Sequence, residues 1–189
     1  MSEPRSSIDH LLVGVSGSIA ILNLPTYLVA LRAAFAREVR VIMTGAAAQL
    51  LSPSTVALLC DEVFLDEVPT SQKRPGHVEL ANWADMFLIL PASANILGQA
   101  ANGLAQNLLT TTILASQTPV IFCPNLNEKM WSKEAVQRNL RTLTEDGHVV
   151  VGPKHAPAYE VGTGVVTDTL VLPEPDVLIG RLEKMLRQF

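Results

Sequence analysis

Short apolar, β-branched runs that alternate with longer helical stretches predict an α/β domain, with a parallel sheet and helices packed on both faces. A second observation points the same way: each run stops at a cluster of small or polar residues, as strands do where a turn leads into a helix. The third is size. At 189 residues, 48% hydrophobic and 17% charged, the chain suits one sizeable core and is no candidate for intrinsic disorder.

Residues 10–15 (HLLVGV) form the first predicted strand, closed by a Ser-Gly-Ser turn at 16–18. Residues 19–36 are apolar and rich in helix formers, with Pro25 near the start, and read as a helix. Val39–Met43 is the second strand, ending in Thr44-Gly45-Ala46. Two short helices follow at 46–51 and 53–60, the second opened by Ser52-Pro53 in cap and first-turn positions. Residues 66–77 carry two prolines, a glycine and mixed charge, and read as an exposed loop. A short helix over 78–83 leads to a third strand at 86–90, stopped by Pro91. Small residues at 92–95 start another helix, and a further one spans 107–116. The strand at 119–123 ends at Pro124; a helix covers 133–146, ended by Gly147; and 148–151 is a last short strand. The segment 152–176, with prolines at 153, 157, 173 and 175, reads as a loose, mobile flap before a closing helix at 178–187. No internal repeat and no second domain is visible. The whole is a Rossmann-like, or flavodoxin-like, arrangement of right-handed βαβ units.

Several functional classes are excluded. A net charge of −4 argues against nucleic acid or an anionic membrane surface as partner. No apolar run reaches the roughly 18 residues that a bilayer span needs, and the polar MSEPRSSIDH start holds no apolar signal segment. Cys60 and Cys123 make neither a disulfide framework nor a thiolate metal site, so the expected compartment is the reducing cytoplasm. No spacing of His, Cys, Asp and Glu makes a metal site convincing.

In such a sheet ligands bind beyond the carboxyl ends of the strands, and the small polar clusters all fall there. Gly14, Ser16, Gly17 and Ser18 lie between strand and helix, where backbone N–H groups and hydroxyls could approach a phosphate. The turn is neither G-x-G-x-x-G nor a P-loop, and a plain strand–helix turn would use the same residues. Thr44 with Gly45, and Ser93 with Asn95, repeat the pattern at later strand ends, which strengthens the phosphate reading. Asn125, Asn127, Met130 and Trp131 crowd the stretch after Pro124. An asparagine amide can hold a carboxylate or amide, but it can equally cap the next helix, with Met130 and Trp131 in the core. His77 stands where a loop becomes a helix; taken alone, a loop histidine is usually a surface residue. His10, His148 and His155 sit at strand edges or in the tail and offer less.

Together, Gly17-Ser-Ile-Ala20, Pro91-Ala-Ser-Ala-Asn-Ile96 with Ala101-Asn-Gly103, and Pro124-Asn-Leu-Asn-Glu-Lys-Met-Trp131 resemble the homo-oligomeric flavin-containing cysteine decarboxylases. The resemblance runs from about residue 10 to residue 151, and patchily through the tail to Pro175. His77 falls, in order and distance before the second motif, where that family keeps its active-site histidine. Leu126 stands where the family motif has Met, a volume-conserving change. The family has a branch that decarboxylates phosphopantothenoylcysteine and a branch that acts on the C-terminal cysteine of ribosomally made precursor peptides, as in lantibiotic biosynthesis. The coenzyme A branch carries a flap cysteine that reduces the intermediate; this sequence has no cysteine after Cys123, which favours the peptide branch. A non-catalytic flavoprotein paralogue is the third reading, weakened by the presence of both His77 and Asn127.

The resemblance implies oxidative decarboxylation: oxidation of the cysteine side chain to a thioaldehyde sets an electron sink β to the carboxylate, and loss of CO₂ leaves an enethiol. It implies His77 as acid–base group and Asn127 as the residue holding the substrate, assisted by Asn125 and by Tyr159 of the flap. It implies Gly14, Ser16, Gly17, Ser18, Thr44, Ser93, Asn95 and Met130 around FMN, with FAD equally compatible with a phosphate turn. A trimer-based assembly, commonly a dodecamer, is expected, with Trp131 near a subunit contact.

Overall fold

The five runs expected to be strands all form strands, and a sixth joins them. The computed structural model describes residues 8–65 and 75–187. The strands are β1 (Ile8–Val15), β2 (Ala36–Met43), β3 (Glu62–Leu65), β4 (Met86–Ala92), β5 (Val120–Pro124) and β6 (Val149–Val150). They pair in parallel throughout, in the order β3-β2-β1-β4-β5-β6. This is the Rossmann strand order; without β3 it would be the five-stranded flavodoxin-like one. The sequence reading missed β3 because it is four residues long, lies at the sheet edge against β2, and buries only Phe64. Such a strand is too short to show alternation.

The central strands are buried on both faces, as parallel strands must be when helices cover both. Leu11, Val13, Val15, Val41 and Met43 face α1 (Leu24–Ala34), α2 (Gly45–Leu50), α3 (Pro53–Val56) and the closing helix, which spans Pro175–Leu186. Leu12, Ile42, Phe87, Ile89 and Phe122 face α4 (His77–Trp83), α5 (Ala94–Ala101), α6 (Leu108–Ala115) and α8 (Glu134–Glu145); the one-turn α7 (Glu128–Trp131) precedes α8. The helix expected at 19–36 begins instead as a 3₁₀ turn, Ile19–Asn23, and becomes α-helical at Leu24, with Pro25 in its first turn. That at 53–60 shortens to α3. Gly147 ends the α8 segment at φ +88°, a conformation that favours glycine, as the sequence suggested.

The loop expected at 66–77 lies outside the described residues up to 74, and His77 already belongs to α4. The tail expected to be loose is a regular antiparallel hairpin, β7 (Lys154–Glu160) with β8 (Val165–Val171), followed by α9 (Pro175–Leu186). Its prolines do not break it, since a two-stranded hairpin is all edge and Pro157 can sit where no ladder N–H is needed. Among the described residues no helix is long and apolar enough to cross a membrane.

Tyr27 of α1 pins the chain returning from the hairpin: its hydroxyl donates to the buried Pro173 carbonyl at 2.7 Å. Burial, with Glu174 and Cys123 adding to it, pushes the phenol up from 10.0 to about 12. Its stabilising contribution is therefore intact below pH 10 and is lost as pH rises through about 12. Tyr27→Phe should cost about 1–2 kcal/mol at neutral pH by urea denaturation, because the carbonyl loses its donor. The decline of its stability between pH 10 and 12 should be shallower than in the parent.

Candidate active site

In a doubly wound sheet the ligand crevice opens where successive connections leave to opposite faces. Here β1 leads through α1 to β2 on one side, while its other neighbour β4 leads through α5 and α6 to β5. The crevice therefore lies at the carboxyl ends of β1 and β4. Ser16 closes its floor. It is 2% exposed, its Oγ donates to the Pro91 carbonyl at 2.8 Å and accepts the Ser93 N–H at 2.8 Å, and its own N–H also reaches Pro91 at 3.3 Å.

Two of the residues expected to touch a cofactor have structural roles inside the protein. Ser16 spends its hydroxyl inside the protein and fixes the rim on which the neighbouring N–H groups stand. Gly14 lies within β1, buried beneath Leu109 and Ile89; a Cβ there would come within 2.4 Å of Leu109 and 2.7 Å of Ile89. Its missing side chain makes room for α6 and not for a ligand.

The other residues do converge on the rim. A Cβ on Gly17 would meet the Ala46 Cβ at 2.7 Å, so the turn after β1 and the start of α2 approach closely because one partner lacks a side chain. Thr44 caps α2 by accepting the Ala47 N–H, and Ser93 caps α5 by accepting the Ile96 N–H. Both caps leave the first N–H groups of their helices, at Gly45 and Ala46 and at Ala94 and Asn95, without an intrahelical partner and with positive dipole ends toward the crevice. A close-packed glycine turn flanked by two such helix starts is a cradle that fits a phosphate. Ser18 bridges the rim from β1 to β5, its hydroxyl donating to Asn125 Oδ1 at 2.5 Å, while the Asn125 N–H holds the Ala92 carbonyl at 3.0 Å.

Asn127 caps a helix and keeps its amide donors. Its Oδ1 accepts the Met130 N–H at 2.9 Å as N-cap of α7, which leaves the two amide N–H groups to donate elsewhere. Asn125 is placed similarly, with its oxygen on Ser18. Both amides are thus polarised to present donors, the arrangement a carboxylate requires. Met130 is 42% exposed and not in the core, whereas Leu126 is buried in it. Asn95 and His77 are exposed, His77 at the start of α4 and Asn95 in the first turn of α5. Tyr159 lies out on the hairpin at 63% exposure, the residue least joined to the rim. Pro91 and Ala46, legible in the sequence only as a strand stop and a strand-end small residue, shape the crevice by a carbonyl and a methyl group. Among the described residues no three His, Cys, Asp or Glu side chains gather to hold a metal.

A family model, Flavoprotein, matches residues 2–172. The chain belongs to the flavoprotein family. Within that family, mersacidin decarboxylase of a Bacillus species is 42% identical over 178 residues, 94% of this chain and 91% of the relative. The bifunctional coenzyme A biosynthesis protein CoaBC of Bacillus subtilis is 37% identical over 93% of this chain, which spans 42% of that longer protein. Among solved structures, EpiD in complex with the substrate peptide DSYTC superposes with a TM-score of 0.83 at 26% identity, covering 91% of this flavoprotein and 97% of EpiD. The FMN-dependent cysteine decarboxylase SpaF gives 0.78 at 34% identity, covering 96% and 97%.

Replacing Ser16 in this flavoprotein by Ala should strip a buried carbonyl and a part-buried N–H of their hydroxyl partner. The expected loss is about 1–3 kcal/mol in urea denaturation, with the β1–β4 rim exchanging its amide hydrogens faster.

Proposed function

We propose that this protein is an FMN-dependent peptidyl-cysteine decarboxylase, acting on the C-terminal cysteine of a ribosomally made precursor peptide to leave an aminoenethiol. The observation that carries the peptide branch is the hairpin of β7 and β8. It stands where a substrate flap is expected and contains no thiol, so nothing in it can return electrons to the product. Similarity along nearly the whole of mersacidin decarboxylase, against less than half of CoaBC, supports the same choice.

Gly17, Ser18, Thr44, Ser93, Asn95 and the helix-start N–H groups would hold the flavin phosphate and ribityl chain, with Met130 beside the ring. Bound flavin supplies the two-electron acceptor for oxidation of the cysteine side chain. The amide N–H groups of Asn127, assisted by Asn125, grip the peptide carboxylate and orient it for loss as CO₂. His77 takes and returns the proton. Tyr159 and the hairpin close over the peptide and exclude water.

Neither remaining cysteine suits the role of internal reductant. Cys123 is fully buried, and desolvation pushes its thiol up to about 12. Cys60 is half-buried and pushed up to about 11, chiefly by burial and then by the neighbouring Asp61. Both stay thiols at neutral pH, and a thiol is a poor nucleophile and reductant. Unbridged cysteines also suit a cytoplasmic enzyme. Exposed Ile19, Leu22, Val29 and Leu114 suit a trimer-based assembly, which we take to be a dodecamer.

The purified protein should be yellow and elute far above its 20.4 kDa monomer mass; protein that stays colourless after incubation with FMN or FAD would rule out the cofactor. A peptide ending in cysteine should lose one CO₂ and two hydrogens by mass spectrometry, its C-terminally amidated form should not react, and phosphopantothenoylcysteine should be a poor substrate. Loss of CO₂ alone would reveal a reductant and overturn the peptide-branch assignment. His77→Asn and Asn127→Asp should each keep the flavin spectrum while turnover falls about 100-fold or more, the second because it sets a negative charge against the carboxylate. Near-normal rates in both would return those residues to the role of turn and cap.

A further inference from the structure

His77 is exposed, and its imidazole has no hydrogen bond or ion pair among the described residues. Among the described residues nothing beside the ring aims it; its place follows from the position and roll of α4. That helix is short, His77 to Trp83, with a rise of about 9 Å from end to end. At about 100° per residue, His77 shares a stripe with Ala81 and Ala84, both buried, and with Leu80 at its edge. The imidazole thus tops the stripe that α4 buries, and a modest roll of the helix would carry it away.

Packing against α6 resists that roll along the helix, and a second hold lies at the end opposite His77. Trp83 lies on the flank of the buried stripe, beyond Leu80. The Arg40 guanidinium of β2 sits over its ring at 4.2 Å from the centroid, and the His10 ring of β1 lies 4.6 Å away. Arg40 is itself steadied by Glu62 of β3 at 3.7 Å. Immediately after the helix, the Asp85 carboxylate accepts the N–H groups of Asp9 and His10 at 3.0 and 2.8 Å, and the Asp85 N–H donates to the His10 carbonyl at 3.0 Å. The N-terminal end has a lighter hold, Glu79 accepting the Gly76 N–H at 2.8 Å.

We infer that Trp83 is a positioning residue for His77: its seat against Arg40 and His10 fixes the roll of α4 and thereby places the imidazole at the rim. The inference rests on the reading of His77 as the acid–base group. Cation–π and ring contacts on a flat indole hold orientation as well as depth, which an aliphatic side chain of similar burial would not.

The test compares Trp83→Leu with Trp83→Phe in the flavin-loaded protein. Hydrogen exchange read by mass spectrometry should rise in Trp83→Leu over residues 77–84 and stay unchanged in α5 and α8, while Trp83→Phe keeps the parent protection. Unchanged exchange over α4, or a rise throughout the protein, would overturn the inference whatever the chemistry does. With a cysteine-ended peptide, Trp83→Leu should lower kcat about 10- to 100-fold with flavin content and KM little changed, and Trp83→Phe should restore most of it. Combined with His77→Asn, Trp83→Leu should add nothing further; additive losses would mean that Trp83 does not act through His77. If His77→Asn alone keeps the parent rate, the acid–base reading fails, and exchange still decides whether Trp83 holds the helix.

Discussion

The constraint on which the rest depends is the joining of β1 to β4 at their carboxyl ends, made by one buried hydroxyl. A parallel sheet whose connections leave to opposite faces must open a crevice between the two strands at the reversal. Without that hydroxyl, the Pro91 carbonyl across the opening would keep only the longer hydrogen bond from the Ser16 N–H, and the Ser93 N–H would lose its Ser16 partner. Ser16 satisfies one of each kind, giving a hydrogen to Pro91 and taking one from Ser93. The start of α5 is held at a set distance from the turn after β1, and the N–H groups that can receive an anion stand on a fixed rim.

Beyond that floor, the site uses small side chains for both ends of their chemistry. An asparagine amide has an acceptor at one end and donors at the other. In Asn127 the acceptor caps the start of α7 and in Asn125 it takes the Ser18 hydroxyl, so each residue is held by the oxygen and offers nitrogen. Capping and binding are therefore not competing readings of the same residue. Glycine is also used in two ways: Gly17 lets the turn approach Ala46 at the rim, while Gly14 lets α6 lie down on the sheet.

The chemistry asks for a further division, between thiols that belong to the substrate and thiols that belong to the protein. Burial keeps Cys60 and Cys123 protonated, and the hairpin of β7 and β8 carries no sulfur. A protein built this way can take electrons from a cysteine without supplying any back. The same hairpin explains why the tail misled the sequence reading: its prolines and glycines mark turns and edges, and a two-stranded ribbon can accommodate them without ceasing to be regular.

By itself the sequence determined the fold class, five of the six parallel strands, the rim on which the small polar residues gather, and the family. These depend on local periodicity and on motifs that are contiguous in the chain, such as Pro124–Trp131, so they are legible one segment at a time. Tertiary structure alone decided what each rim hydroxyl bonds. Ser16 and Ser18 are near neighbours with the same hydroxyl, yet the partners that separate their roles, Pro91, Ser93 and Asn125, lie 75 or more residues away. It also decided the edge strand β3, too short to carry a pattern, and the seat of Trp83, assembled from β1, β2 and α4. Contacts of that kind are set by strand order and helix crossing, and no local stretch of sequence records them.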